Sequence, residues 1–403
     1  MALRLFTMCL LGLYLLYPGN GRAADRGNSG MARLTPVSFS DLAGWAEDRH
    51  EEALSAFALS CARLLAPASA GATGRDGEAL RAWNSICKRA LRPDALLQRA
   101  HARRFFETNF SPHRVSLPDK ARGFLTGYFE PEVEGSLEKG AEFATPLYRR
   151  PDDLVTLKRG ETRRGLAPGL SAARRGKGGF EPYPTRAEIE AGALSGRGLE
   201  LVYLRDPIDA FFVHVQGSAR VRLPDGEVLR VGFAAKNGHP YTSIGKVLID
   251  RGLMSAEEMT AERLRRWLAA HPDQARDVMN QNRSFIFFRN ITVPDPTLGP
   301  IGAAGVQLTP RRSLAVDPAF HSFATPVWIG AELPAANGRL EPFRRLMIAQ
   351  DAGSAITGAA RGDIFFGSGA AAGARAGRVR HSGDFVVLLA KDLPLPDWAA
   401  EGG

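Results

Sequence analysis

The sequence predicts a mainly β protein of two domains with a helical segment at its N-terminal end. Apolar residues at helical spacing dominate residues 39–110. After Pro118 the pattern changes to short alternating strands separated by Gly- and Pro-marked turns. The length, 403 residues, favours two cores over one. With 44% hydrophobic and 24% charged residues the composition is globular, which excludes wholly disordered, collagen-like and disulfide-scaffold chains.

The chain opens on Arg4 and an apolar run from Leu5 to Tyr17, broken by Pro18-Gly19-Asn20 and followed by Gly21-Arg22-Ala23-Ala24. A run of this length is short for a membrane span and suits a secretory leader, so residues 1–23 are expected to be a signal peptide. Cys9 lies inside the run behind Thr7-Met8, where a lipoprotein signal would want small residues, so no lipid attachment is expected. Export would leave Cys61 and Cys87 in an oxidising compartment, where an even pair reads as a disulfide between two N-terminal helices. The competing reading is two buried thiols. Neither cysteine has a neighbouring general base or a Cys-x-x-Cys partner, which argues against thiol catalysis.

Ser40-Asp41 can cap a first helix whose apolar positions are Leu42, Trp45, Leu54, Phe57, Cys61 and Leu64-Leu65. Gly71–Gly77 breaks it. A second helix carries Leu80, Trp83, Ile86 and Ala90, and a third spans Asp94–Thr108. The strands expected next are Phe124–Phe129, Leu201–Leu204, Phe211–Val215, Val221–Leu223, Val228–Phe233 and Phe285–Phe288, with Pro224-Asp225-Gly226 as a hairpin turn. A helical island is expected over Ser243–Leu268, with Ser255 as a cap and Glu257-Glu258 in the first turn. Strands rich in Gly and Pro resume at Val306. Residues 158–179 are basic and poor in apolar side chains, which reads as a solvated insertion or as a loop that meets an anionic polymer.

The net charge of +9 suits a polyanionic partner: nucleic acid, an anionic membrane or an acidic wall polymer. His214, His239, His271, His321 and His381 are scattered without metal-ligand spacing, so no metal and no cofactor is expected. A phosphate-binding Gly-x-x-x-x-Gly-Lys-Ser/Thr loop and a Gly-x-Ser-x-Gly nucleophile elbow are both absent. Carboxylates remain. Asp351 ends the apolar strand Leu346–Ala349, and Asp363 opens another beside Ile364-Phe365-Phe366. Two strand-end aspartates at this spacing can face one groove of a small barrel. An aspartate beside that apolar run can be partly desolvated, so that it holds a proton near neutrality, as a general acid for a glycosidic oxygen must. Alternatively, both are turn aspartates that bond local amides.

The string from Leu346 to Gly358 followed by Asp363-Ile364-Phe365-Phe366-Gly367-Ser368-Gly369 resembles the three-aspartate "3D" segment of the membrane-bound lytic murein transglycosylase A family. Its first aspartate corresponds to Asp317 in Ala315-Val316-Asp317-Pro318. Further blocks are similar in the same order. They are Thr126-Gly127-Tyr128-Phe129-Glu130-Pro131, Pro184-Thr185-Arg186-Ala187-Glu188-Ile189 and Val213-His214-Val215-Gln216-Gly217-Ser218. Lys236-Asn237-Gly238-His239-Pro240-Tyr241 and Asn280-Gln281-Asn282-Arg283-Ser284-Phe285 complete the set.

The resemblance implies a double-psi β-barrel catalytic domain with a second, inserted β-barrel domain and a groove between them. The expected boundaries are 24–129 for the helical region and first barrel strand, 130–293 for the insert and 294–403 for the 3D domain. It implies non-hydrolytic cleavage of the β-1,4 bond between N-acetylmuramic acid and N-acetylglucosamine, giving 1,6-anhydromuropeptides. By position Asp363 is the acid and base, with Asp351 and Asp317 in support. Thr126, Tyr128, Gln216, Gly217 and Lys236 are the expected groove residues. The implied partner is the peptidoglycan glycan strand rather than nucleic acid, and a periplasmic monomer is expected, with outer-membrane or wall-synthesis association left open. A β-1,4-glycan hydrolase or a non-catalytic wall-binding protein are the competing readings. Ser354 stands where the family commonly has Gly, and the helical N-terminal region and the 158–179 stretch carry no family motif.

Overall fold

The computed structural model describes residues 32–399 apart from 67–74, 93–98, 119–121, 158–160, 162, 164, 165, 177 and 336. The expected signal peptide and Cys9 lie outside the described residues. By its contacts the chain forms two compact units. Among the described residues, the first comprises those up to Gly127, Ile301–Phe365 and those from Val379 onward; the second comprises Tyr128–Pro300 and Phe366–Arg378.

The N-terminal part supplies β1 (Arg33–Pro36), α1 (His50–Leu64), α2 (Arg75–Ala90), α3 (Arg99–Asn109), β2 (Phe110–Ser116) and β3 (Gly123–Glu130). In α1 the buried residues Ala53, Leu54, Phe57, Cys61 and Leu64 recur at helical spacing, with Glu51 and Glu52 in the first turn and Arg63 in the last. The helix does not start at Ser40-Asp41 as expected. Ser38 instead caps a single turn, Phe39–Asp41, with the Asp41 carboxylate accepting from the Ser38 amide at 2.9 Å. Gly44 then turns the chain at φ 84°, and α1 begins at His50. Cys61 and Cys87 are joined by a disulfide that ties α1 to α2.

The second unit contains β4 (Glu132–Ser136), β5 (Thr145–Tyr148), β6 (Leu154–Thr156), β7 (Ala172–Gly176), β8 (Gly179–Glu181), α4 (Arg186–Glu188) and β9 (Glu200–Leu204). It continues through α5 (Pro207–Gln216), β10 (Ser218–Arg222), β11 (Val228–Lys236), α6 (Ile244–Asp250), α7 (Ala261–Ala270), α8 (Pro272–Asn280) and β12 (Ile286–Asn290). One sheet runs β12-β11-β10-β4-β9-β5, and a smaller one runs β6-β7-β8. Strand β7 falls in the basic stretch, and Arg163 of that stretch lies 3.9 Å over the ring of Phe180 on β8. The β10–β11 hairpin turns at Pro224-Asp225-Gly226 with Gly226 at φ 87°.

Two expectations fail here. Phe211–Val215 is helical, inside α5. Asp206 caps the Ile208 amide at 2.8 Å, Pro207 occupies the first turn, and Gly217 ends the helix in the left-handed region at φ 84°. These terminal signals outweigh the strand preference of Phe211-Phe212-Val213. The island at Ser243–Leu268 is also not one helix. Ser243 caps α6 and Thr260 caps α7, while Ser255 accepts the Glu258 amide at 3.2 Å in a turn between them.

The C-terminal part adds β13 (Ser313–Ala315), β14 (Pro326–Pro334), β15 (Leu340–Asp351), β16 (Arg361–Ser368), α9 (Gly369–Ala376) and β17 (Arg380–Ala390). The sheet order is β1-β2-β17-β14-β15-β13-β16-β3, and β3 also pairs with β17, so the last six strands close into a ring. The apolar face of α1 packs with Trp45, Trp83, Phe106, Phe110, Trp328, Leu346 and Val386 in one core. A buried ion pair pins the same helical region to β15. Arg312 donates to both Asp48 oxygens at 2.8 and 2.9 Å, and the Leu346 amide donates to Asp48 at 2.8 Å. The Arg312 charge and these hydrogen bonds outweigh burial and hold the Asp48 carboxyl below its ordinary range.

Candidate active site

The register of β13 assembles the aspartates. Ala315 stands opposite Asp363 on the antiparallel neighbour β16 and opposite Asp351 on the parallel neighbour β15. Asp317 follows two residues later, as the chain leaves β13. Strand pairing therefore brings three carboxylates from separate segments of the C-terminal part to one end of the ring.

The three carboxylates have different surroundings. Asp317 accepts from the Ala319 amide at 2.9 Å with one oxygen and from the Gly358 amide at 2.8 Å with the other. Asp351 Oδ1 accepts from the Ala303 and Ala352 amides, both at 2.9 Å. Asp363 accepts no backbone amide among the described residues. Its Oδ1 lies 2.5 Å from the hydroxyl of Thr126 on β3. Ile364 and Phe365 beside it are fully buried, and Gly362 leaves room for Leu125, Leu314 and Phe385 to close in. Burial dominates and pushes the Asp363 carboxyl up to about 6, against the Arg361 charge and the Thr126 hydrogen bond, which lower it; the Asp351 charge adds a smaller rise. A carboxyl at that value can release and regain a proton near neutral pH.

Arg361 enters through strand alternation, being two residues before Asp363 on the same face of β16. Its Nη2 donates to Thr126 Oγ1 at 2.7 Å and its Nη1 to the Gly362 carbonyl at 2.5 Å. Nearby His321 is buried and donates from Nε2 to the Ala359 carbonyl at 2.5 Å, and burial pushes its pKa down to about 4. It therefore stays neutral and braces the loop that leads into β16. Among the described residues no three His, Cys, Asp or Glu side chains gather in a way that could hold a metal ion.

Residues 124–289 match the MltA specific insert domain and residues 312–389 match the 3D domain. The solved membrane-bound lytic murein transglycosylase from Agrobacterium tumefaciens is 40% identical, with a TM-score of 0.79 over 89% of this chain and 98% of that one. This chain belongs to the membrane-bound lytic murein transglycosylase A family. Membrane-bound lytic murein transglycosylase A of Escherichia coli (strain K12) is 36% identical over 269 residues, covering 66% of this chain and 65% of the relative. The matched region thus spans just under two thirds of that relative. The Escherichia coli MltA structure with bound chitohexaose aligns with a TM-score of 0.59 at 30% identity, over 90% of this chain and 93% of that one. As in the family, a mainly β chain carries an inserted domain and a 3D domain. Among the described residues no helix is long and apolar enough to cross a membrane.

Within this family member, Thr126 belongs to the same unit as Asp317, Asp351 and Asp363, whereas Tyr128, Gln216, Gly217 and Lys236 belong to the second unit. There Gln216 Oε1 accepts from the Phe129 amide at 3.0 Å, which fixes the amide group at the end of α5. Lys236 is half-buried at the end of β11, and burial lowers its pKa.

Sequence reasoning passed over two residues. One is Arg361, which its spacing from Asp363 could have flagged. The other is Glu130, fully buried in the second unit, which accepts from Arg220 at 3.2 Å, Arg230 at 2.9 Å and the Ser368 hydroxyl at 2.6 Å. Its only signal was a glutamate embedded in the strand motif that begins at Thr126.

Proposed function

We propose that this chain is a lytic transglycosylase that cleaves the β-1,4 bond between N-acetylmuramic acid and N-acetylglucosamine in peptidoglycan. The observation that carries the reading is the contrast between Asp363, with its raised pKa, and two flanking aspartates that already accept loop amides. Asp363 donates its proton to the glycosidic oxygen as the C1–O bond breaks. The muramoyl C6 hydroxyl then attacks C1, and its proton passes to Asp363. The products are a free N-acetylglucosamine 4-hydroxyl and a 1,6-anhydro ring, and the acid is regenerated. No water is consumed, so no second carboxylate is needed as base or nucleophile. Asp351 and Asp317 hold the loops that frame the acid, and the Asp351 charge supports its raised pKa.

Tyr128 is assigned to stacking on a sugar face, with Gln216, Gly217 and Lys236 as polar contacts to the glycan. The basic chain suits a polymer bearing stem-peptide carboxylates. Residues 1–23 are assigned as the export leader and the mature protein to the periplasm as a monomer, with membrane association suggested by relatives named membrane-bound. Digestion of sacculi in oxygen-18 water tests the chemistry. The expected products are anhydro-ended and carry no heavy oxygen at the cleaved bond. Heavy reducing ends would mean hydrolysis and would send the search to Asp351. Binding without turnover would leave the wall-binding reading.

A further inference from the structure

We propose that Arg361 is a positioning residue that determines which oxygen of Asp363 carries the catalytic proton. This rests on the reading of Asp363 as the acid. A guanidinium can only donate hydrogen bonds, and Arg361 Nη2 points at Thr126 Oγ1 from 2.7 Å. That occupies one acceptor lobe of the hydroxyl. The hydroxyl has a single proton to give, and the acceptor 2.5 Å away is Asp363 Oδ1. In the reverse arrangement, a protonated Oδ1 would donate to Thr126. The hydroxyl oxygen would then receive two donors, and its own proton would have no acceptor among the described residues. Arg361 therefore orients the Thr126 hydroxyl, the hydroxyl claims Oδ1, and the acid proton is confined to Oδ2. One carboxyl oxygen becomes the fixed pivot and the other the proton carrier for both halves of the reaction.

The arginine is itself held. Its Nη1 donates to the Gly362 carbonyl, and its guanidinium lies 5.2 Å from the Phe124 ring centroid. Other groups around Asp363 cannot take its place. β13 presents the uncharged Ala315 opposite Asp363, β15 contributes the anionic Asp351, and Arg380 on β17, opposite Thr126, is exposed to solvent. Among the described residues Arg361 is thus the cation that acts on the carboxyl, through its charge and through the hydroxyl.

The test compares the protein with Arg361→Gln and Arg361→Lys, following the Asp363 carboxyl by carbon-13 NMR with labelled aspartate, assigned through Asp363→Asn. Rates on sacculi are measured across pH in parallel. In Arg361→Gln the Asp363 titration is expected to move up by roughly one pH unit. The alkaline limb of kcat should follow it, and kcat should fall about tenfold or more with little change in KM. Arg361→Lys keeps the charge without the rigid fork, so it should titrate near the parent and recover kcat only in part. If the glutamine variant does not fold, the lysine variant decides alone, since kcat must still drop with the titration in place. An unmoved titration in Arg361→Gln, or unchanged kcat in either variant, would overturn the proposal. The titration needs no turnover, so a protein that yields no anhydro ends would count against the reaction assigned above and not against the relay.

Discussion

Thr126 and Asp363 are 237 positions apart in the chain, and their side chains meet at 2.5 Å between Oγ1 and Oδ1. The contact joins β3 to β16, two strands of the closed ring, at the point where β13 has already set Asp351 and Asp363 on either side of Ala315. A carboxyl placed there loses much of its water and gains one hydroxyl partner in exchange. That imbalance keeps it protonated at a pH where ordinary aspartates are ionised.

Replacing Asp351 by Asn removes a negative charge that helps to raise the Asp363 pKa while retaining an oxygen for the Ala303 and Ala352 amides. The acid should then ionise at lower pH. The alkaline limb of the pH–rate profile is expected to move down by a few tenths of a unit, with anhydro products unchanged. A hydrolase that used Asp351 as base or nucleophile would instead lose nearly all turnover.

The raised pKa of Asp363 also carries a stability cost. Its folded value of about 6 exceeds the ordinary 3.8, so the fold favours the neutral form, and stability falls as pH rises from about 4 to about 6, where the unfolded chain has released the proton that the folded one still holds. That cost is absent below about 4 and reaches at most about 3 kcal/mol at neutral pH. Asp363→Asn should therefore raise the unfolding midpoint at pH 7.5, and the gain should shrink to nothing as pH falls below about 4. Thermal unfolding of both proteins at the two pH values checks this. A variant less stable than the parent at pH 7.5 would contradict it.

The helical region depends on the Asp48–Arg312 pair, whose side chains are almost completely buried. Asp48→Ala leaves a buried guanidinium short of its bidentate partner and should cost about 3–5 kcal/mol of stability. Denaturant unfolding of Asp48→Ala beside Asp48→Leu/Arg312→Met is the check. The double variant, which buries no unpaired charge, should lose less than the single one.

How far the sequence could be read depended on the reach of each signal. Asp351 and Asp363 were legible because each sits where an apolar strand meets a Gly-marked loop, a local pattern. The roles of Arg361 and Glu130 rest on partners far along the chain: Thr126 for the first; Arg220, Arg230 and Ser368 for the second. The Phe211–Val215 stretch was misread because aromatic and β-branched residues suggested a strand, while Asp206, Pro207 and Gly217 at its ends specified a helix. Ser255 misled in the opposite sense. It has the chemistry of a cap and uses it, but in a turn, because α7 takes Thr260 instead. The start of α1 at His50 was hidden by the turn at Gly44.

The most direct test of a single carboxyl serving as acid and then base is the yield of anhydro-ended muropeptides from sacculi. It is measured by chromatography with mass analysis for the protein and for Asp363→Ala at pH 5.5. The expected result is abundant anhydro ends from the parent and a loss of roughly a hundredfold or more in the variant. Equal anhydro yields from the two proteins, or reducing ends from the parent, would contradict it.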